Sequence, residues 1–339
     1  MKKLLVVLMS LLMLFTLVGC GGGDEGGEEK KDALRVVVMP AYVQEEWSQT
    51  IIKSAQAACD YYGYELTMMD PNFDVATQIA CMEDVMSGGY DAVIIQSVNG
   101  SALIEKCKEL VDAGIIVVDF DCLIAETGSI VSPATASVKA DDQAGGATAF
   151  ELIREECGDE GTIFVVGETP GVDTGLFRNS GLEEAAKAYP GYKIIKQRAT
   201  GDGDSRALNK DLIIDWTTTH PEITACFSYY GDGAIGLYEG LKEAGRQDIK
   251  VVGYDATADQ IDAMKSDPNC SLIATIANAP GMLGGAAIDI VHGIVEYGYA
   301  KKAPDDVFQL ENAVLKKSEI NTYTDPFWTE PIYTEEDFK

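Results

Sequence analysis

From Leu34 onward, short apolar runs alternate with amphipathic segments. Residues 34–39 (LRVVVM) read as a strand. Residues 45–62 read as a helix, with Trp47, Ile51, Ile52, Ala55 and Cys59 on one face. A strand over 64–69, a helix over 74–86 ended by Gly88-Gly89, a strand over 91–96 (DAVIIQ), a helix over 101–112 and a strand over 115–120 follow. The strands are unbroken apolar runs rather than alternating ones, the mark of a parallel sheet covered on both faces. The alternation then restarts. Helices are expected at 147–157, 182–189, 206–218, 234–244, 258–265 and 282–297. Strands are expected at 162–167, 192–196, 223–228, 250–254, 272–276 and 307–310. The pattern predicts an α/β protein with two doubly wound parallel-sheet lobes. Right-handed crossovers place the loop after each strand at one sheet edge, where ligands bind.

The residues before this body have another character. Lys2 and Lys3 precede an apolar run over 4–18, too short for a typical span of about 20 residues but suited to an export signal. It ends in Leu17-Val18-Gly19-Cys20, which resembles the lipobox of bacterial lipoproteins. That resemblance implies a signal peptide over 1–19 and lipidation of Cys20. Residues 20–33, rich in Gly, Glu and Lys, read as a flexible tether. The expected location is extracytoplasmic, lipid-anchored to the cell membrane.

Composition narrows the partners. With 26 Lys+Arg against 55 Asp+Glu, the net charge is −29. Such a surface repels nucleic-acid phosphates and anionic lipid headgroups, so neither is expected as a partner; a small neutral ligand is compatible. After Cys20 seven cysteines remain, an odd number without CxxC pairs or zinc-ligand spacing. No metal, cofactor or catalytic residue is expected. The two histidines, His220 and His292, have no nucleophile or metal spacing around them, and GxSxG, HExxH and P-loop motifs are absent. Asp202-Gly203-Asp204 starts like a calcium loop, but Arg206 falls where the third ligand belongs, so it reads as a turn.

Residues 231–236 spell GxGxxG after a strand and at the opening of a helix, and Asp255 ends the next strand. Pattern alone fits a dinucleotide site. Its place in the last third of the chain leaves too few βα units for such a domain, and no general acid or base accompanies it.

From about Leu34 to Leu310 the chain resembles the periplasmic-binding-protein superfamily, in its ribose/galactose-type sugar-binding branch. The resemblance is carried by Trp47, with Gln44 and Glu45 in the loop before it, and by Asp121 in Val117-Val118-Asp119-Phe120-Asp121. It continues through Asp141-Asp142-Gln143-Ala144-Gly145-Gly146, Arg178 with Gly181, Asp255 after Val-Val-Gly-Tyr, and Asn278 after Ala-Thr-Ile-Ala. Cys122 stands where the family often has Arg, and Tyr230 where it often has Asn.

The resemblance implies a class I two-lobed fold with a three-crossing hinge near Ala140, Ala277 and Leu310. The expected N-terminal lobe is 34–139 plus 279–308; the expected C-terminal lobe is 140–278 plus 309–339, including an acidic aromatic tail. It implies a ligand site at Trp47, Glu45, Asp121, Arg178, Tyr230, Asp232, Asp255 and Asn278, for a monosaccharide or related polyol. A sugar hydroxyl both donates and accepts, so carboxylates, amides and a guanidinium together suit it. Structural roles remain open for each residue. Trp47 continues an apolar stripe, Arg178 could be a surface ion pair, Asp255 and Asn278 could cap helices, and Tyr230 and Asp232 could shape a turn.

The implied function is the solute-binding lipoprotein of an ABC importer, a monomer that delivers its ligand to a membrane permease and makes no bond. The alternatives are a ligand sensor feeding a receptor kinase or chemoreceptor, and an exported NAD-dependent enzyme.

Overall fold

The structure is a computed structural model, and it describes residues 33–197, 205–324 and 326–339. The expected signal peptide, Cys20, the tether up to residue 32 and the Asp202-Gly203-Asp204 turn lie outside the described residues.

Two six-stranded sheets form two lobes. The first contains β1 (Arg35–Met39), β2 (Glu65–Met68), β3 (Ala92–Ile95), β4 (Ile116–Phe120), β5 (Ala136–Ala140) and β11 (Phe308–Leu310), in the order β11-β5-β4-β3-β1-β2. The second contains β6 (Glu160–Val166), β7 (Gly191–Gln197), β8 (Ala225–Phe227), β9 (Lys250–Tyr254), β10 (Leu272–Ala277) and β12 (Ala313–Lys316), in the order β12-β10-β9-β8-β6-β7. Helices α1 (Glu46–Tyr62), α2 (Val75–Ser87), α3 (Gly100–Asp112) and α9 (Pro280–Tyr297) cover the first sheet. Helices α4 (Asp142–Cys157), α5 (Asp173–Ala186), α6 (Ser205–Thr219), α7 (Gly231–Glu243) and α8 (Ala258–Ser266) cover the second.

The central strands are buried on both faces, which is why they read as unbroken apolar runs. All pairings are parallel except one: β12 runs antiparallel to β10, so the second sheet is mixed rather than purely parallel. The chain passes between the sheets at β5 to α4, at β10 to α9 and at β11 to β12.

Several expected boundaries move, for one physical reason. α4 starts at Asp142 rather than 147, and α5 at Asp173 rather than 182. The glycines that read as helix breakers are there for close packing. A Cβ on Gly146 would lie 1.8 Å from the Arg178 carbonyl oxygen, and one on Gly181 would lie 2.0 Å from that of Gln143. Arg178 therefore stands within a helix, not in the loop before it.

The tail also departs from expectation. Residues 313–322 stay with the second lobe, where Ile320 is in its core. From Pro326 the chain lies on the first lobe instead: Trp328 and Phe338 are buried in that core against α9. Assigning 309–339 wholly to the C-terminal lobe is thus corrected. Trp328 donates its indole N–H to Asp289 (3.0 Å), which also accepts from the Ile332 amide (2.7 Å) and the Tyr62 hydroxyl (2.9 Å).

Candidate functional site

The expected residues lie at the ends of parallel strands or in the elements that follow them. The loop after β1 carries Glu45, and the first turn of α1 carries Trp47. Asp121 follows β4, Asp255 follows β9 and Asn278 follows β10. Tyr230 precedes α7, and Asp232 is in its first turn.

Arg178 is the centre of the charges. Its Nε donates to Asp142 Oδ1 (2.7 Å) and its Nη1 to the Tyr229 carbonyl (2.8 Å). Nη2 reaches Asp121 Oδ1 (3.4 Å) from across the lobes, and Nη1 lies 3.5 Å from Asp255 Oδ1. The guanidinium also lies over the Tyr254 ring, 3.8 Å from its centroid. Arg178 is only 3 % exposed, so its charge is held by these partners rather than by water. The surface-ion-pair reading is excluded.

Asp142 links this centre to the hinge. Its other oxygen lies 2.6 Å from Lys139 Nζ, so one carboxylate joins a lysine on β5 of the first lobe to an arginine on α5 of the second. At the neighbouring crossing Asn312 donates to the Asp141 carbonyl (2.6 Å) and accepts from the Tyr254 hydroxyl (3.2 Å). The sequence reading did not single out Lys139, Asp142 as an ion-pair partner, Gln96 or Asn312. Gln96 donates to Asp121 Oδ2 (2.9 Å) and accepts from the Ala41 amide (3.0 Å). The one available signal was the Asp141-Asp142 pair, whose two members divide the work. Asp141 caps α4 through the Ala144 amide (2.9 Å), and Asp142 faces inward.

Asp121 (φ 56°) and Asp255 (φ 77°) are both in the left-handed region, where a residue with a Cβ is strained. Asp255 does not cap α8, whose N-cap is Thr257. Instead its Oδ2 accepts from the Gly231 amide (2.9 Å) at the start of α7. A carboxylate thus occupies the helix terminus where a dinucleotide site would place its pyrophosphate. The glycines of that motif serve packing: a Cβ on Gly236 would lie 2.3 Å from the Arg206 carbonyl oxygen on α6.

Glu45 is exposed to water yet hemmed in by protein. Desolvation first, then the carboxylates of Asp232, Asp255 and Asp121, push its carboxyl up to about 7. Burial likewise pushes Asp255 up to about 6 against the pull of Arg178. Both groups stand where carboxylates of the two lobes converge on Arg178. Glu45, Asp121, Arg178, Asp232 and Asp255 are therefore brought together.

Trp47 and Asn278 form a pair of their own. Trp47 packs in the core of the first lobe and donates its indole N–H to Asn278 Oδ1 (3.0 Å). Asn278 is buried, its Nδ2 has no partner among the described residues, and it does not cap α9, where Ala279 is the N-cap residue. The Tyr230 hydroxyl accepts from Asn209 of α6 (2.7 Å).

The lobes also meet beside the cleft. The Ala258 amide donates to Glu46 (3.3 Å), the Gly128 amide to Asp173 (3.0 Å), and Cys122 Sγ lies 3.5 Å from Thr174 Oγ1. The seven described cysteines are free thiols. Among the described residues no group of three or more His, Cys, Asp or Glu could hold a metal ion, and no helix is long and apolar enough to cross a membrane.

Comparison with known proteins identifies the family. The Periplasmic binding protein domain family matches residues 36–299. The ribose import binding protein of Salmonella typhimurium is 25 % identical over 266 residues, covering 78 % of this chain and 86 % of its own. The xylitol-binding protein of Mycolicibacterium smegmatis is 26 % identical over 256 residues, covering 74 % and 69 %. Among solved structures, an ABC transporter solute-binding protein from Agrobacterium vitis bound with α-D-tagatopyranose superposes with a TM-score of 0.75 at 23 % identity, covering 85 % of this chain and 96 % of that one.

Proposed function

Because the chain belongs to the Periplasmic binding protein domain family, we propose that it is the extracytoplasmic solute-binding protein of an ABC importer, taking a monosaccharide or related polyol between its lobes. The observation that carries the reading is the convergence of Arg178 from the second lobe with Asp121 from the first, beside the carboxyls of Glu45 and Asp255. Hydroxyl groups donate to such carboxylates and accept from the guanidinium, and charged partners make the stronger hydrogen bonds. The Asn278 amide supplies a further donor, and Trp47 an apolar face for sugar C–H groups. The ribose and xylitol named for its relatives fit that chemistry.

Closure follows from the same contacts. A guest that touches both lobes only when they are shut shifts the balance toward the closed form. The closed form then docks on a membrane permease, and no bond is made or broken. Anchorage through a lipidated Cys20 belongs to this proposal and rests on the sequence Leu17-Val18-Gly19-Cys20.

A thermal-shift screen of residues 33–339 against pentoses, hexoses, polyols, nucleosides and amino acids tests it. A ligand at 100 times its Kd adds about 2.7 kcal/mol. Sugars or polyols are expected to raise the Tm. Silence from both while another class gives a large shift refutes the ligand class, and turnover of a bound sugar refutes the transport role.

A further inference from the structure

We propose that residues 326–339 act as a strap, a fourth link between the lobes that restrains the opening of the hinge. The inference does not rest on the ligand reading. The strap leaves the second lobe at a short 3-10 turn over Lys317–Thr322, where Ile320 is buried in that lobe's core and Tyr323 packs against it. It is seated on the first lobe by Trp328, 2 % exposed, and by Phe338.

The seat is shaped for these rings. A Cβ on Gly285 would lie 2.2 Å from the Trp328 ring, and one on Gly293 would lie 2.3 Å from Phe338. Asp289 on α9, itself buried, is held by the Trp328 indole, the Ile332 amide and Tyr62. Five residue steps separate Tyr323 from Trp328, so these two anchors can separate by no more than about 18 Å.

Position gives the strap its leverage. The other three passages lie side by side: Ala140 pairs with Leu310, and Ala277 pairs with Ala313. The strap extends that row, since the Trp328 amide donates to the Gly281 carbonyl (2.8 Å) in the first turn of α9, just beyond the crossing at Asn278. Hinge motion in a two-lobed protein concentrates at the few residues of its crossings. Each link must deform as the lobes part, so a row of four is stiffer against opening than a row of three. The consequence is a ligand-free form that opens less than three crossings alone would allow.

The test uses the body of residues 33–339, which forms one compact unit. One variant lengthens the strap by eight Gly and Ser residues inserted after Thr324. A second carries a protease site at that point and is cut after folding, so the tail keeps its packing but loses its tether. Small-angle scattering without sugar reads the radius of gyration, against about 19 Å for a compact chain of this size. An increase over the unmodified body in either variant, with the cut tail still co-eluting, is the expected result. Unchanged scattering in both, or a cut tail that elutes away from the body, overturns the proposal.

Discussion

The two lobes share a strand order, but they hold their cleft charges differently. The second lobe braces its own. Arg178 on α5 is bound to Asp142 on α4, to the Tyr229 carbonyl and to the Tyr254 ring, and all of these belong to one lobe. The first lobe presents Asp121, steadied by Gln96, and Glu45, which faces other carboxylates. One half of the site is thus organised in advance, and the other half is completed by approach. The difference teaches which residues should matter for folding and which for closure.

The largest break in that comparison is Arg178→Met. It leaves Asp255 buried without its cation and Asp142 with Lys139 alone, so urea unfolding should show a loss of about 3–5 kcal/mol. Next comes Gly146→Ala, which drives a methyl group into the backbone of α5. A loss of about 1–3 kcal/mol is expected from overpacking, with the Arg178 contacts disturbed as well. If that variant melts like the wild type, the α4–α5 seam does not position the arginine.

A titration separates the halves further. Glu45 and Asp255 have carboxyls raised to about 7 and about 6, so the fold favours their protonated forms. Their contribution to stability is full below the ordinary carboxyl range and is lost as pH rises through 6 and then 7. The Tm should fall between pH 5 and pH 8, and Glu45→Gln should blunt the upper part of that fall. An identical pH profile in that variant would show that Glu45 is not desolvated. The smallest effect on stability belongs to Asp121→Asn, at about 1 kcal/mol or less, because Arg178 keeps its partners in the second lobe. Its expected signature is weaker sugar binding by calorimetry with a nearly unchanged melting curve.

Most of the fold was legible because buried parallel strands announce themselves as apolar runs. β5 did not, since Ala136–Ala140 contains Ser137 and Lys139, and the lysine is tolerated only because Asp142 and the Phe177 ring receive it. β12 was missed because a short edge strand carries little pattern of its own. Of the site, Asp121 and Asp255 could be named through the family resemblance, whose motifs place them at strand ends. Gln96 and Lys139 could not, because their partners are remote in sequence or across a crossing. The GxGxxG run shows the converse limit: spacing marked a tight helix start, and only packing against α6 revealed why the glycines are there.

The glycine seam between α4 and α5 has a consequence for how such a protein changes its diet. The guanidinium is fixed by two helices whose backbones nearly touch, so almost any alteration there costs the lobe its integrity. The exposed Gln44 and Glu45 in the loop before α1 carry no comparable burden. New nutrient preferences would therefore be written into that loop, around an arginine that stays where it is.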